Sequence, residues 1–198
     1  MNDNPRTYPR EVAGDGATVE LRLLAAGDAD ALKAFIATLS DHDLLFLTRD
    51  ITHPKVIEAW VEAAADGRVK SLLAWQDGKV VGCTALVTHQ LSWSSHVGEI
   101  RVLLAPALRG KGLGRVLIQE CFAQALELGL AKLCVQMTTD QHAAIAGFEG
   151  IGFRAEAVFR NHVRDRQGRQ HDLAVLSHDV AEVQSRMEAY GVAGALGA

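Results

Sequence analysis

Residues 99–115 read Glu99-Ile100-Arg101-Val102-Leu103-Leu104-Ala105-Pro106-Ala107-Leu108-Arg109-Gly110-Lys111-Gly112-Leu113-Gly114-Arg115. The apolar run at 102–105 stops at Pro106, as a buried strand does. From Gly112 to about Gly129 the pattern is helical, with Ile118, Cys121, Phe122 and Ala125 on one face. Between them three alternating glycines let the backbone turn tightly and bring its N–H groups close to a ligand. At a helix N-terminus such N–H groups, with the helix dipole, form an anion site. Arg109, Lys111 and Arg115 add positive charge, so the loop suits a phosphate-bearing ligand. A dinucleotide fingerprint starting at Gly110 needs a third glycine at 115, which is Arg115. A P-loop needs Ser or Thr after its lysine, and Lys111 is followed by Gly112.

Outward from this loop, strands and helices alternate. Residues 18–24 form a short strand, and Asp28 opens a helix with Leu32, Phe35, Ile36 and Leu39 at i, i+3, i+4 and i+7. A second helix starts at Pro54, carries Val56, Ile57, Trp60 and Val61, and stops at Asp66-Gly67. Strands at 71–75 and 79–89 flank the hairpin signal Asp77-Gly78. Further strands are predicted at 96–104, 132–138, 153–163 and 169–177, with a short helix at 141–151. The domain reading is a flexible arm at 1–16, one domain at 17–180, and a terminal helix with a frayed tail at 181–198. The fold class is α+β, a mixed sheet with helices on its faces.

The 198 residues suffice for one ordinary domain burying roughly 70% of its unfolded surface. Twenty-four acidic against 20 basic residues, net −4, argue against a protein that coats nucleic acid. Cys83, Cys121 and Cys134 lie in apolar segments and read as core thiols in a reducing compartment. No run approaches the ~18–20 apolar residues of a membrane span. A cytoplasmic location, without membrane partners, is the expectation.

The pattern Arg109-x-x-Gly112-x-Gly114, following a strand and opening a helix, resembles the acyl-CoA loop of the GNAT superfamily of N-acyltransferases. Further similarity lies in Asp77-Gly78-Lys79-Val80-Val81-Gly82, in residues 99–106, and in Ala144-Ile145, Phe148-Glu149 and Gly152-Phe153. The resemblance implies a mainly antiparallel sheet splayed between the family's fourth and fifth strands, here 97–104 and 132–138. It implies acetyl-CoA as co-substrate, an amine acceptor, and a homodimer as an open option. Backbone groups of Val102 and Leu104, with Leu103 between them, would then hold pantetheine. Arg109, Gly110, Lys111, Gly112, Leu113, Gly114 and Arg115 would hold the pyrophosphate. The acceptor would meet residues 28–67 and 158–173; within the first, the mixed-charge stretch His42, Asp43, Arg49 and Asp50 either contacts it or solvates a helix end.

An alkylamine has a pKa near 10.4 and must lose a proton before it attacks a thioester. By resemblance Glu99 is the general base, and a backbone N–H near Val102 meets the oxyanion. The alternative for Glu99 is a strand-end carboxylate paired with Arg101. The chain departs from the family at the general acid: Phe148 stands where a tyrosine is usual. Gln141 replaces a cofactor-contacting asparagine and is assigned to the cofactor in its place. His142 and Tyr190 are candidates for a substitute acid, with a structural or surface role as the reading preferred for each. His162, His171 and His178 lack metal-helix spacing, so no metal is expected. The Arg160–Arg169 region reads as a charged hairpin tip, and Trp93 as a surface aromatic. Rival readings are a non-catalytic acyl-CoA-binding module, a different acyl donor, and a protein holding another phosphate ligand.

Overall fold

Strand-length apolar segments separated by turn residues build one eight-stranded sheet. The computed structural model describes residues 6–47 and 49–180. In chain order the elements are β1 (Arg10–Gly14), β2 (Ala17–Leu23), α1 (Ala29–Ile36), α2 (Asp41–Leu44), α3 (Pro54–Ala65), β3 (Val69–Gln76), β4 (Lys79–Thr88) and β5 (Val97–Leu104). They continue with α4 (Leu113–Glu127), β6 (Lys132–Thr138), α5 (His142–Glu149), β7 (Arg154–Arg164) and β8 (Gln170–Asp179). The sheet order is β1-β2-β3-β4-β5-β6-β8-β7, antiparallel except where β5 meets β6. The helix and tail expected at 181–198, with Tyr190, lie outside the described residues.

Local chemistry accounts for the joints. Asp77 and Gly78 both have positive φ, 50° and 72°, the backbone that a tight hairpin needs and that Asp-Gly supplies. His53 caps α3 by accepting from the Lys55 N–H, and Pro54 occupies the first turn, where no donor is required. Where a flexible arm is expected through residue 16, Arg10–Gly14 instead pairs with β2. The strand is held from outside the sheet. Arg6, Tyr8 and Arg10 converge on the buried Glu120 carboxylate of α4, with Tyr8 Oη donating at 2.8 Å. A Cβ on Gly14 would collide with the Lys111 carbonyl oxygen, so the end of β1 lies directly against the glycine loop.

Three apolar clusters fill the layers. Ile100, Leu133, Val135 and Leu176 of the sheet pack against Ile118, Cys121 and Ala125 of α4 and Phe148 of α5. On the opposite face Leu73, Cys83 and Leu103 pack against Leu32, Phe35 and Ile36 of α1 and Ile57 and Val61 of α3. A third cluster joins Val19, Leu21 and Leu72 to Leu113 and Leu117. Helices therefore cover both faces, and the helical spacing of the sequence names the buried residues. Burying an apolar side chain of this size contributes about 1.5–3 kcal/mol.

His178 is buried in the first layer, edge-on to Phe122 at 4.7 Å and tilted against Phe153 at 5.4 Å. Burial pushes its pKa below the ordinary histidine value, with the Asp179 charge opposing in part. The unfolded chain therefore takes up this proton first. The stability contribution is complete above about pH 6.5 and is lost as pH falls below that. Thermal melts between pH 7.5 and 5 should show Tm falling with acidification. A His178→Phe variant should lose less over the same interval; a pH slope equal to wild type would refute the assignment.

Candidate active site

β5 and β6 run parallel, but their ladder joins only Val97, Gly98 and Glu99 to Lys132, Leu133 and Cys134. Beyond Glu99 the register stops while each strand continues, β5 to Leu104 along β4 and β6 to Thr138 along β8. The result is a V-shaped gap at the predicted place, closed at Glu99. The Ala105 N–H bonds to Val81 O on the β4 side. Successive residues of a strand turn their polar groups to opposite edges. Those of Val102 and Leu104 accordingly face the gap side.

Past β5, a single 3₁₀ turn at Pro106–Leu108 leads into the glycine loop. Gly110 and Gly112 have φ of 73° and 71°, the left-handed region that only glycine enters without strain. Gly112 is the residue from which α4 starts, so the helix presents its free N–H groups to this loop. Lys111 and Arg115 are exposed beside it. The positive charge is nevertheless more balanced than the sequence implies. Arg109 is held by Asp43 of α2 at 2.9 Å and donates to Leu104 O at 3.2 Å. A Cβ on Gly112 would lie 3.3 Å from an Asp15 carboxylate oxygen, so a second acid borders the loop. Burial alone would raise the Asp43 pKa, but hydrogen bonds from Arg109 and Ser40 outweigh it and hold the carboxyl below its ordinary value.

On the α3 face a cavity of about 1000 Å³ opens against β4 and β5. Alternation along β5 puts Glu99, Arg101 and Leu103 on its wall and Ile100 in the α4 layer. Glu99 is half-buried and accepts from Arg101 Nε at 2.7 Å, the pairing recognised as the alternative to a catalytic role. Ile51, Val56 and Trp60 supply apolar wall, while Arg49, Glu62 and Arg68 bring charge. Trp60 reads as a core residue in sequence because its helical spacing matches Ile57 and Val61. In the fold it lines the cavity, its indole N–H fixed on Ser71 Oγ at 2.7 Å. Arg49 belongs to the stretch expected to meet the acceptor, and it does reach this cavity.

The other candidates separate. Gln141, preceding α5, donates from Nε2 to the His42 carbonyl at 3.1 Å. Phe148 is buried against Phe153, ring centroids 5.0 Å apart, and has no proton to give. His142 and His162 are exposed. Trp93 is fully exposed in the β4–β5 turn. The region read as a charged hairpin tip is docked rather than free: Arg166 contacts Asp41, Asp50 and Thr52. The cysteines are free. Burial, assisted by the Glu99 charge, pushes the Cys134 thiol up to about 11, and burial pushes Cys121 up to about 12, so neither is a nucleophile near neutral pH.

The fold has counterparts among known proteins. The model of the acetyltransferase (GNAT) family matches residues 36–153. The chain belongs to this family. An amino-acid acetyltransferase of Mycobacterium tuberculosis is 31% identical over 159 residues, covering 78% of this chain and 80% of that protein. Among solved structures, a Salmonella typhimurium acetyltransferase-type protein with its cofactor acetyl-CoA matches with TM-score 0.69 at 21% identity, over 83% of this chain and 95% of that one. Spermidine N-acetyltransferase from Vibrio cholerae, in complex with CoA and spermine, matches with TM-score 0.67 at 18% identity, over 82% and 96%. This GNAT member is an N-acetyltransferase, and acetyl-CoA is its co-substrate. Among the described residues no helix is long and apolar enough to cross a membrane.

Proposed function

We propose that the enzyme acetylates the primary amine of a small molecule by direct attack within a ternary complex. The observation that carries this reading is the position of Glu99, where β5 and β6 part and on the wall of the α3-side cavity. The cofactor lies in the gap, its diphosphate on the amides of residues 110–115 and its pantetheine arm along Val102 and Leu104. The amine enters from the cavity, loses a proton to Glu99, and attacks the thioester carbon. A C–N bond forms, the oxyanion is met by the Val102 N–H, the nitrogen gives up its second proton to water, and the C–S bond breaks to release CoA thiolate. Phe148 supplies no proton, and none is demanded: a thiol of Cys-like pKa, about 8.5, leaves as thiolate with little assistance.

Arg49 at the cavity favours an amine that also carries an anionic group; Arg68 lines the same cavity but is ion-paired with Asp66 at 2.6 Å. The name of the Mycobacterium tuberculosis relative describes that class, amino acids. Release of CoA thiol should be followed with purified enzyme against amino acids, polyamines and lysine peptides. Turnover is expected to be fastest with an amino acid. No thiol release with any amine, or release with polyamines alone, would overturn this reading.

A further inference from the structure

Three side chains far apart in sequence meet beside the gap. His42 comes from α2, Asp140 from the turn between β6 and α5, and His171 from the start of β8. Each offers one ligand atom, and the three atoms lie within 4.8 Å of one another. His42 Nε2 stands 3.4 Å from Asp140 Oδ1, longer than the 2.7–3.2 Å of a good N–H···O bond. Ligand bonds of 2.0–2.1 Å in a tetrahedral zinc site put neighbouring ligand atoms about 3.3 Å apart, close to the His42–Asp140 distance. The two imidazole rings are tilted at 59° with centroids 5.7 Å apart, so they are not stacked on each other.

A second feature is independent of that spacing. His171 Nε2 lies 3.0 Å from Asp165 Oδ2, whose carboxylate is nearly buried and also accepts from Arg169 Nε at 2.8 Å and from the Gln167 and Arg169 N–H groups. Metal-bound histidines commonly donate their other ring N–H to a carboxylate, which fixes tautomer and ring orientation. Asp165 does this for His171 and leaves Nδ1 as the free lone pair.

We infer that His42, Asp140 and His171 bind one divalent transition-metal ion of the zinc class, with Asp165 as the residue that orients His171. Two imidazoles and one carboxylate suit zinc or cobalt and disfavour magnesium, which prefers an all-oxygen octahedron. Three protein ligands leave a position for water or a ligand group. The ion ties α2 to the β6–α5 turn. His42 is followed by Asp43, which grips Arg109 of the glycine loop, and its own carbonyl receives Gln141. The metal thereby fixes the segment lying across the mouth of the gap. This assignment is independent of the amine substrate and of Glu99.

The test is direct binding to the full chain after chelator treatment. Calorimetry with Zn²⁺ should give one site per chain, and Co²⁺ should produce the visible absorption of a four-coordinate centre that excess Mg²⁺ does not displace. His42→Ala and Asp140→Asn, both at partly exposed side chains, should each weaken Zn²⁺ binding at least about tenfold while the metal-free Tm stays at the wild-type value. Zn²⁺ should raise the Tm of wild type and not of these variants. A His162→Ala variant, at an exposed histidine on β7, should bind as wild type does. Absence of Zn²⁺ binding by wild type, displacement by Mg²⁺, or unchanged affinity in both variants would overturn the site.

Discussion

Replacing Gly112 with aspartate is expected to weaken acetyl-CoA binding by at least about 100-fold, close to 3 kcal/mol. Two effects act together. The φ of 71° at this residue costs an L side chain roughly 1–2 kcal/mol. The new Cβ would also stand 3.1 Å from Asp15 N and 3.3 Å from Asp15 Oδ2. The added carboxylate would therefore join Asp15 at a helix start whose N–H groups form the proposed anion site, and both charges would repel the diphosphate. Gly112→Ala separates the contributions, since it carries the backbone strain without the charge. Calorimetric titration with CoA should rank wild type above alanine, and alanine above aspartate. Titrations of the aspartate variant within threefold of wild type, at a temperature where the variant is folded, would remove this loop from the cofactor site.

The surroundings of that loop show why local sequence is a partial guide to charge. Arg109, Lys111 and Arg115 read as cations available to a phosphate, but Asp43 of α2 is paired with Arg109, and Asp15 of the β1–β2 turn lies against Gly112. Any anion taken by Arg109 competes with its bond to Asp43. The loop and the His42–Asp140–His171 group share one element, α2, which contributes His42 to the second and Asp43 to the first. α2 spans only four residues, too short to show any periodicity.

The same distinction governs the rest of the fold. β6 is legible because Leu133, Val135 and Met137 alternate within seven residues, and its structural bounds are those of the pattern. α3 is legible because Pro54 marks its start and Asp66-Gly67 its stop. β1 is not: Arg-Glu-Val-Ala-Gly offers one large apolar residue on an edge strand, and what holds it is Glu120, more than a hundred residues away. The glycine loop is legible because its chemistry is contiguous. His42, Asp140 and His171 have no contiguous signal, because each comes from a different element and only the sheet order brings them together.

Glu99→Gln tests the chemistry most sharply. The substitution keeps side-chain shape and leaves an amide oxygen to accept from Arg101 Nε, now 2.7 Å from the carboxylate, so Tm should hold near the wild-type value. A positioned general base contributes about 10²–10⁴-fold, and kcat/KM near pH 7 should fall within that range. The pH dependence distinguishes a base from a residue that merely shapes the cavity. An alkylamine of pKa near 10.4 arrives increasingly neutral as pH rises, so the need for a base diminishes. The ratio of wild-type to variant kcat/KM should therefore be largest near pH 7 and shrink steadily toward pH 10. Equal turnover at pH 7 would remove Glu99 from the mechanism. A deficit constant across pH would make it a positioning residue acting through Arg101 and the cavity wall, and would move the search for the base to the other titratable groups of that wall.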